Sequence, residues 1–344
     1  MRISKPVIFC LAAAALFGAA APAAKMLVAG TGPFTLAGLF YLGAAIVVAP
    51  AAWRSGVAAI AWRERNLAKV AGVIIAGGVV APTLLMMALR NASAASISLW
   101  LNFETIATTA LAWTIFREHI GGRALVAMLL VAGAGVMLAA SSSPGGAAAG
   151  FMIATACLLW GLDNNLTSVI DGLTPAQITM LKGAIGGGIN LAIGLTTERT
   201  RLAAGPLTAA LVIGAFSYGA SLVLYIRGAQ SLGAARSQML FASAPFLGCI
   251  LAWSVLGEPV EMRQAAAMLV IAAALAILFS DREHGHAHFH SAVTHTHEHS
   301  HDDAHHAHAH ADGSLAIRHA HPHSHDPIEH EHSHLPDLHH RHEH

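Results

Sequence analysis

Long apolar runs alternate with short polar breaks over most of the chain. Each run is close to the roughly 20 residues that a helix needs to cross the hydrocarbon of a bilayer. The runs cover residues 6–24, 33–53, 68–89, 94–116, 121–140, 148–170, 175–196, 206–227, 233–256 and 261–280. The pattern predicts an all-α integral membrane domain with ten transmembrane helices. Thr174, Pro175 and Gln177 have the residue types of a capped start for the seventh helix.

Composition agrees with a membrane domain and separates it from a tail. The chain is 55% hydrophobic and 11% charged, whereas a soluble domain has about 25% charged residues.

Arg2 and Lys5 before the first apolar run also fit a signal peptide. Residues 16–18 (Leu-Phe-Gly), however, resemble residues 159–161 (Leu-Trp-Gly) in the second half of the chain, which favours an uncleaved first helix.

The stretch from residue 94 to 129 returns 140 residues later in one register. Trp113, Glu118, Arg123 and Met128 match Trp253, Glu258, Arg263 and Met268. This indicates an internal duplication, with a first five-helix repeat at 1–140, a linker at 141–147, a second repeat at 148–280 and a tail at 281–344. Because five is odd, the second repeat is expected to be inverted in the membrane, as in many secondary transporters.

Loop charges predict the orientation. If the N-terminus is inside, the inner helix ends hold eleven Lys and Arg residues and the outer ends five. The excess of positive charge belongs on the cytoplasmic side. We therefore expect a multi-pass protein of the inner cell membrane with both termini in the cytoplasm.

The two repeats resemble the EamA-type drug/metabolite transporter superfamily. The resemblance rests on residues 116–120 (Phe-Arg-Glu-His-Ile) and 256–260 (Leu-Gly-Glu-Pro-Val), each followed by a Gly/Ala-rich apolar helix, and on Trp160-Gly161, Thr174-Pro175 and Lys182. It covers about residues 6–280 and implies a ten-helix permease that moves small metabolites, often outward, without hydrolysing ATP. The first repeat departs from it at Tyr41, where a basic residue would fall, and has Glu104-Thr105 where the second has Ala244-Pro245.

Glu104 is the first candidate for the substrate or coupling-ion pathway, because it lies at the middle of the fourth predicted helix. An acidic side chain there costs about 3 kcal/mol to insert. A structural interpretation is a protonated Glu104 hydrogen-bonded to Asn102 or Thr105. The functional interpretation is a group that binds a proton or a cation. Glu118 and Glu258 lie at helix ends and are expected to cap helices or to pair with Arg123 and Arg263.

The sixth and seventh helices supply the other pathway candidates. Lys182 lies about two turns inside the seventh helix, where it pairs with Glu104 or Asp163 or holds a fixed positive charge for an anionic substrate. Asp163 and Asn164 lie in the sixth helix, and both site and scaffold roles stay open. Trp100 and Trp160 are near these charges and are cavity candidates, and Asn102 is the remaining pathway candidate. The four-residue spacing of Gly183 and Gly187 favours close helix packing.

The tail is dominated by alternating histidines, since residues 281–344 hold all but one of the 24 histidines. It has no apolar periodicity and is predicted to be disordered. Neutral imidazole ligates Zn, Ni, Co and Cu, so metal binding is expected there. The candidate ligands are His284, His286, His288, His290, His295, His297, His299, His301, His306, His308, His310, His319, His321, His323 and His325.

Two functions remain after these observations. One is a gradient-driven exporter of a small organic metabolite, which needs no cofactor; the other is a divalent-metal exporter whose tail collects or senses Ni, Co or Zn. P-loop, Rossmann and metalloprotease motifs do not occur in the sequence, so we expect no enzyme. His119 is the sole histidine before the tail, which favours the organic substrate. The expected partners are that substrate, the lipid bilayer and metal ions at the tail, with a homodimer left open and no nucleic acid.

Overall fold

The computed structural model describes residues 5–55, 64–115, 122–139, 146–170, 172–198, 203–232, 240–278, 284–290, 293–299, 319–325 and 328–334. The chain divides into two compact units, Met1–Asp281 and Arg282–His344. Residues 141–145 of the predicted linker 141–147 are not among the described residues, and a helix begins at Gly146.

The first half of the larger unit is helical wherever it is described. It contains α1 (Lys5–Gly18), α2 (Ala20–Thr31), α3 (Pro33–Arg54), α4 (Glu64–Val73), a first π-helix (Ile74–Val80), α5 (Ala81–Asn91), α6 (Ala94–Trp100), α7 (Phe103–Thr114) and α8 (Gly122–Ala139). Helix α1 runs into α2, and α4 runs through the π-helix into α5. Each such series therefore forms one long rod.

The second half follows the same scheme. It contains α9 (Gly146–Ser168), α10 (Pro175–Leu181), a second π-helix (Lys182–Gly186), α11 (Gly187–Thr197), α12 (Ala204–Gly214), a third π-helix (Ala215–Ala220), α13 (Ser221–Leu232), α14 (Ala244–Val255) and α15 (Met262–Leu278). The predicted start of α10 is confirmed. The Gln177 N–H donates to the Thr174 hydroxyl at 3.3 Å, and the Thr174 N–H donates to the Gln177 side chain at 2.8 Å.

Six helical stretches in the described part of the chain are long and apolar enough to cross a membrane. They are Lys5–Thr31, Pro33–Arg54, Asn66–Asn91, Ala147–Ser168, Pro175–Thr197 and Ala204–Gly228. Three shorter apolar helices, Leu125–Leu138, Ala244–Val255 and Met262–Ile277, accompany them. The protein is therefore a multi-pass membrane protein.

Helix α3 lies at the centre of the packing and contacts α10, α11, α12 and the third π-helix. Its side chains Leu36, Leu39 and Phe40 are fully buried. A Cβ at Gly183 would overlap the backbone carbonyl of Tyr41, and one at Gly187 would lie 2.9 Å from the Gly38 carbonyl oxygen. The prediction that Gly183 and Gly187 permit close helix packing is thus confirmed.

Two carboxylates of the second half bind helix N-termini of the first half. Glu198, after α11, accepts hydrogen bonds from the backbone N–H groups of Phe34 and Thr35 at 2.8 and 2.9 Å. Glu258, after α14, accepts from the N–H groups of Ala94 and Ala95 at 2.7 and 2.9 Å. A carboxylate at a helix N-terminus satisfies unpaired donors and opposes the positive end of the helix dipole. The capping expected of Glu258 is confirmed, whereas Glu118 lies outside the described residues.

Four segments of the tail form strands. These are β1 (His284–His290), β2 (Val293–His299), β3 (His319–His325) and β4 (Ile328–His334), with β1 antiparallel to β4 and β2 antiparallel to β3. For these segments the structure corrects the prediction of disorder. The His-x-His alternation has a period of two, which is the period of a strand. His301, His306, His308 and His310 lie outside the described residues.

Candidate functional site

A break between helices α6 and α7 determines where Glu104 lies. Helix α6 ends at Trp100 and α7 begins at Phe103, and the turn between them has backbone hydrogen bonds of short range, such as Glu104 N–H to the Leu101 carbonyl at 3.1 Å. Asn102 is buried in this turn, and its side-chain amide donates to the Leu99 carbonyl at 3.1 Å. Glu104 therefore occupies the first turn of α7, where the helix dipole favours a carboxylate.

The side-chain partner of Glu104 comes from helix α9. Asn164 Nδ2 of α9 donates to Glu104 Oε1 at 2.9 Å and lies 3.3 Å from Thr108 Oγ1. The neighbouring Asn165 is buried and donates to the Thr108 carbonyl at 3.0 Å, which holds α9 against α7. Glu104 is half-buried and Asn164 is exposed. The structural interpretation of Glu104 named Asn102 or Thr105 as its partner; the observed partner is Asn164.

Asp163, the residue before Asn164 on α9, forms an ion pair with Lys182. Lys182 Nζ donates to Asp163 Oδ2 at 2.6 Å, with the two side chains 19% and 2% exposed. Thr167 adds a hydrogen bond to Asp163 Oδ1 at 3.3 Å. Of the two partners that the sequence left open for Lys182, the structure places Asp163 against it. The pair is electrically neutral, which offsets the cost of burying either charge alone.

The first π-helix brings a backbone carbonyl into the same region. The Tyr41 hydroxyl donates to the Gly77 carbonyl oxygen at 2.6 Å, and Trp160 Nε1 donates to the same atom at 3.3 Å. A Cβ at Gly77 would overlap the Asp163 carboxylate. Glycine at residue 77 therefore lets the Asp163 side chain pack directly against the backbone of the first π-helix. Single π-turns within α-helices are frequent at functional sites.

Trp100 packs beside the turn between α6 and α7. Its ring lies against Gly135 of α8, its centroid is 5.8 Å from that of Phe103, and Cys157 Sγ lies 3.7 Å from its carbonyl oxygen. The ring thus lies next to the turn that carries Glu104.

Most of the residues proposed from sequence meet in this region. We call Glu104, Asn164, Asp163 and Lys182 the polar cluster. Trp160 and Trp100 lie beside it, whereas the Asn102 side chain is hydrogen-bonded within the turn between α6 and α7. Sequence reasoning missed Thr108, Asn165 and the Gly77 carbonyl. Tyr41 could have been found, because it occupies the position in the first repeat that Lys182 occupies in the second.

The described residues were also compared for metal-ligating side chains. Within the residues that the structure describes, no three His, Cys, Asp or Glu side chains group as metal ligands. Cys10, Cys157 and Cys249 are buried and free.

Apolar helices around a polar cluster define a multi-pass membrane protein with a polar interior. The EamA-like transporter family matches the chain twice, over residues 4–140 and 148–280. The chain therefore belongs to the EamA-like transporter family, whose members are generally not enzymes.

The chain is also similar to a relative and to a solved structure. The relative, described as an uncharacterized transporter of Methanothermobacter thermautotrophicus, is 27% identical over 209 residues, 58% of this chain and 61% of that protein. The match thus spans about three fifths of the length of that curated relative. A crystal structure with 17% sequence identity shares the fold at a TM-score of 0.59, covering 80% of this chain and 96% of that one.

Proposed function

We propose that this protein is a secondary transporter that exports a small organic metabolite across the inner membrane, driven by an ion gradient. The observation that carries the proposal is the polar cluster, whose Glu104 and Asn164 keep part of their surface exposed although the surrounding helices are apolar. Polar groups facing lipid are costly, so such groups in a membrane protein line a water-filled path or a protein interface. A path through the protein is the property that a transporter needs.

The proposed architecture is a ten-helix inverted repeat with both termini in the cytoplasm. The twofold family match and the excess of basic residues at inner helix ends support it. Helix packing supports it as well, because α1 contacts α14 and α9 contacts α7. An inverted repeat would relate α1 to α9 and α14 to α7, so these two contacts correspond to each other. In this orientation the N-termini of α3 and α6, with Glu198 and Glu258, lie on the outer side.

The chemistry of the site favours an organic substrate. The groups are an amide, a carboxyl, an ion pair and two indole rings, which suit hydrogen bonding and stacking with a small molecule that has polar and apolar parts. The alternative is a divalent-metal exporter, favoured by the histidine-rich tail, since imidazole ligates Zn, Ni, Co and Cu. In that case the tail collects or senses the ion that the membrane unit moves.

A tolerance screen of a deletion strain tests the proposal. The strain is challenged with metabolites and with metals after complementation by the full chain, by a chain truncated after Ser280, or by Glu104→Gln. We expect full-length and truncated proteins to restore tolerance to one organic solute and Glu104→Gln to fail. Restored metal tolerance that requires the tail would establish the alternative. Tolerance to no solute in any arm, with protein present in the membrane, would contradict transport altogether.

A further inference from the structure

A buried glutamine on α15 joins three helices at one end of the membrane unit. Gln264 is 1% exposed. Its side-chain oxygen accepts from the Trp253 indole N–H at 3.1 Å and from the Glu261 backbone N–H at 3.4 Å. Its side-chain nitrogen donates to the Ser96 and Ser93 hydroxyls at 2.9 and 3.2 Å. Because an indole N–H and a backbone N–H can only donate, the orientation of the amide is fixed, and all four of its hydrogen-bonding positions are used.

These hydrogen bonds connect the two repeats. Ser93 is the N-cap of α6 and Ser96 lies in its first turn, in the first repeat, whereas Trp253 and Gln264 belong to α14 and α15 in the second. The Glu258 carboxylate reaches the same end of α6 from the second repeat and accepts from two of its backbone N–H groups. We call Ser93, Ser96, Trp253, Glu258 and Gln264 the outer clamp, because this end of α6 lies on the outer side in the proposed orientation.

Movement between the repeats would break the outer clamp. In transporters built from inverted repeats, the path opens to one side or the other as one repeat rocks against its partner. Opening the outer end would separate α6 from α14 and α15, so the Gln264 amide would lose both of its hydroxyl acceptors. A buried amide without acceptors is unfavourable. The outer clamp therefore stabilises the state in which the outer end is closed.

The amide and its hydroxyl partners are not repeated in the sequence at the inner end. The 140-residue repeat pairs Ser93 with Gly233, Ser96 with Arg236 and Gln264 with Ala124. Glycine and alanine have no polar side chain, so these three positions cannot provide an amide bonded to two hydroxyls. Trp253 and Glu258, in contrast, recur as Trp113 and Glu118. The part of the outer clamp that centres on Gln264 thus occurs once in the chain.

We propose that Gln264 is a positioning residue that keeps the outer end closed, so that the transporter rests with its path open to the cytoplasm. The inference rests on the proposed transport function and orientation, and it assigns the resting state. Because the hydrogen bonds that favour closure belong to one end only, the two states differ in free energy before any solute binds. A solute in the cytoplasm then meets an available site, and its binding has to offset the outer clamp before it leaves on the other side.

A cysteine at residue 164 reports which side the path faces. Asn164 belongs to the polar cluster and is exposed, whereas Cys10, Cys157 and Cys249 are buried. Full-length Asn164→Cys protein in inside-out and right-side-out membrane vesicles is treated with a membrane-impermeant maleimide, and its modification is followed by mass spectrometry. We expect reaction at least tenfold faster in inside-out vesicles, in which the cytoplasmic side is accessible. The protein without the introduced cysteine gives the background and should not react.

Gln264→Ala, added to Asn164→Cys, removes the amide and introduces the residue type that the repeat has at Ala124. We expect reaction from the outer side to rise at least fivefold and reaction from the inner side to fall, because the population moves to the outward-open state. A general loosening of the fold would instead raise both rates. Ser96→Ala is a second variant, which removes the 2.9 Å hydrogen bond and retains Gln264, and it should change the two rates in the same opposite directions.

Ser254→Ala is the matched control. Its hydroxyl is exposed at the same end of α14 and donates to the Ile250 carbonyl of its own helix, so this variant should react like Asn164→Cys alone. Monodisperse elution of each variant checks that it is folded.

Three results would each overturn the inference. They are unchanged rates in folded Gln264→Ala and Ser96→Ala, a parallel rise from both sides, and faster reaction of Asn164→Cys alone from the outer side. All three would leave the proposed function intact, because the tolerance screen measures transport itself. Failure of every solute in that screen would instead remove the proposed function, and the role of the outer clamp with it.

Discussion

Two regions of the membrane unit, related by the internal repeat, have different chemistry. In one region, Trp160 and the Gly77 carbonyl lie beside the polar cluster, which contains Glu104. In the other, Phe17, Tyr218 and Phe241 form an aromatic cluster, with Phe17 5.8 Å from Tyr218 and 5.3 Å from Phe241, and Tyr225 5.0 Å from Phe241. Ala244 occupies the position that corresponds to Glu104.

The backbone is nevertheless similar in the two regions. The rod α4–α5 contains the π-helix Ile74–Val80, and the rod α12–α13 contains the π-helix Ala215–Ala220. A turn precedes α7 at Phe103, and another precedes α14 at Ala244. Turns and π-helices therefore recur without the charges. The two regions therefore share a backbone arrangement, but only one of them contains the charged side chains. The region of the polar cluster should control transport, and the region of the aromatic cluster should mainly affect packing.

The largest expected effect is on transport by Glu104→Gln. Glutamine keeps the shape and the hydrogen bond to Asn164 but cannot take up or release a proton. We expect flux in proteoliposomes to fall at least a hundredfold while the amount inserted in the membrane stays the same. Flux that is normal across the pH range would show that Glu104 is part of the scaffold. Ala244→Glu, which adds an acid to the region of the aromatic cluster, should not restore transport to Glu104→Gln.

The next effect is on stability and concerns the ion pair. Lys182→Met leaves the Asp163 carboxylate buried without its cation, which costs about 3–5 kcal/mol. The measurement is the melting temperature of the detergent-solubilised protein. Adding Asp163→Asn should recover most of the loss, because the remaining amide is neutral. If the double variant melts as low as Lys182→Met, the two side chains are not coupled.

Gly77→Ala tests the close packing of the first π-helix against Asp163. A methyl group there would overlap the Asp163 carboxylate and displace the ion pair. Such overpacking costs about 1–3 kcal/mol, and we expect a lower melting temperature with reduced flux. Gly133→Ala is the control, since nothing lies within 4 Å of its Cβ position, and it should melt at or slightly above the parent temperature. Equal behaviour of the two variants would disprove close packing at residue 77.

Glu198→Gln and Glu258→Gln have smaller effects. Each replaces a carboxylate that accepts two backbone N–H groups with an amide that has one oxygen and no charge. We expect a loss of about 0.5–2 kcal/mol in each case, measured as a shift in melting temperature. No shift in either capping variant would show that the helix ends are satisfied by water.

The smallest effect on the membrane unit is expected from truncation after Ser280, since the tail is a separate compact unit. The melting temperature should not change. The isolated segment 284–344 should bind several Zn or Ni ions at neutral pH. Binding should weaken between pH 7 and 5, because ligation needs neutral imidazole and the ordinary His pKa is about 6.5. Calorimetry that detects no binding at pH 7 would reject a metal role for the tail.

Much of the helical order could be predicted from sequence, because apolar runs of membrane length have few alternatives. The start of α10 was also predictable, since Thr174, Pro175 and Gln177 act within one turn. The break before Phe103 and the three π-helices were not, because no local residue type marks where a helix widens or stops. The pairing of Glu104 with Asn164 depends on how α7 meets α9, which a single sequence does not contain. Lys182 had two acids within plausible reach, and only packing selects Asp163.

The three π-helices have a consequence for insertions and deletions. A π-turn is an α-helix that holds one additional residue, so the parts of the rod before and after it are out of α-helical phase by about 100°. Removing one residue from Ile74–Val80 would restore a regular α-helix without breaking the rod. It would also turn α4 relative to α5 and move the Gly77 carbonyl away from Tyr41 and Trp160. In these rods the number of residues between the ends, as well as their identity, determines which groups face the centre of the protein.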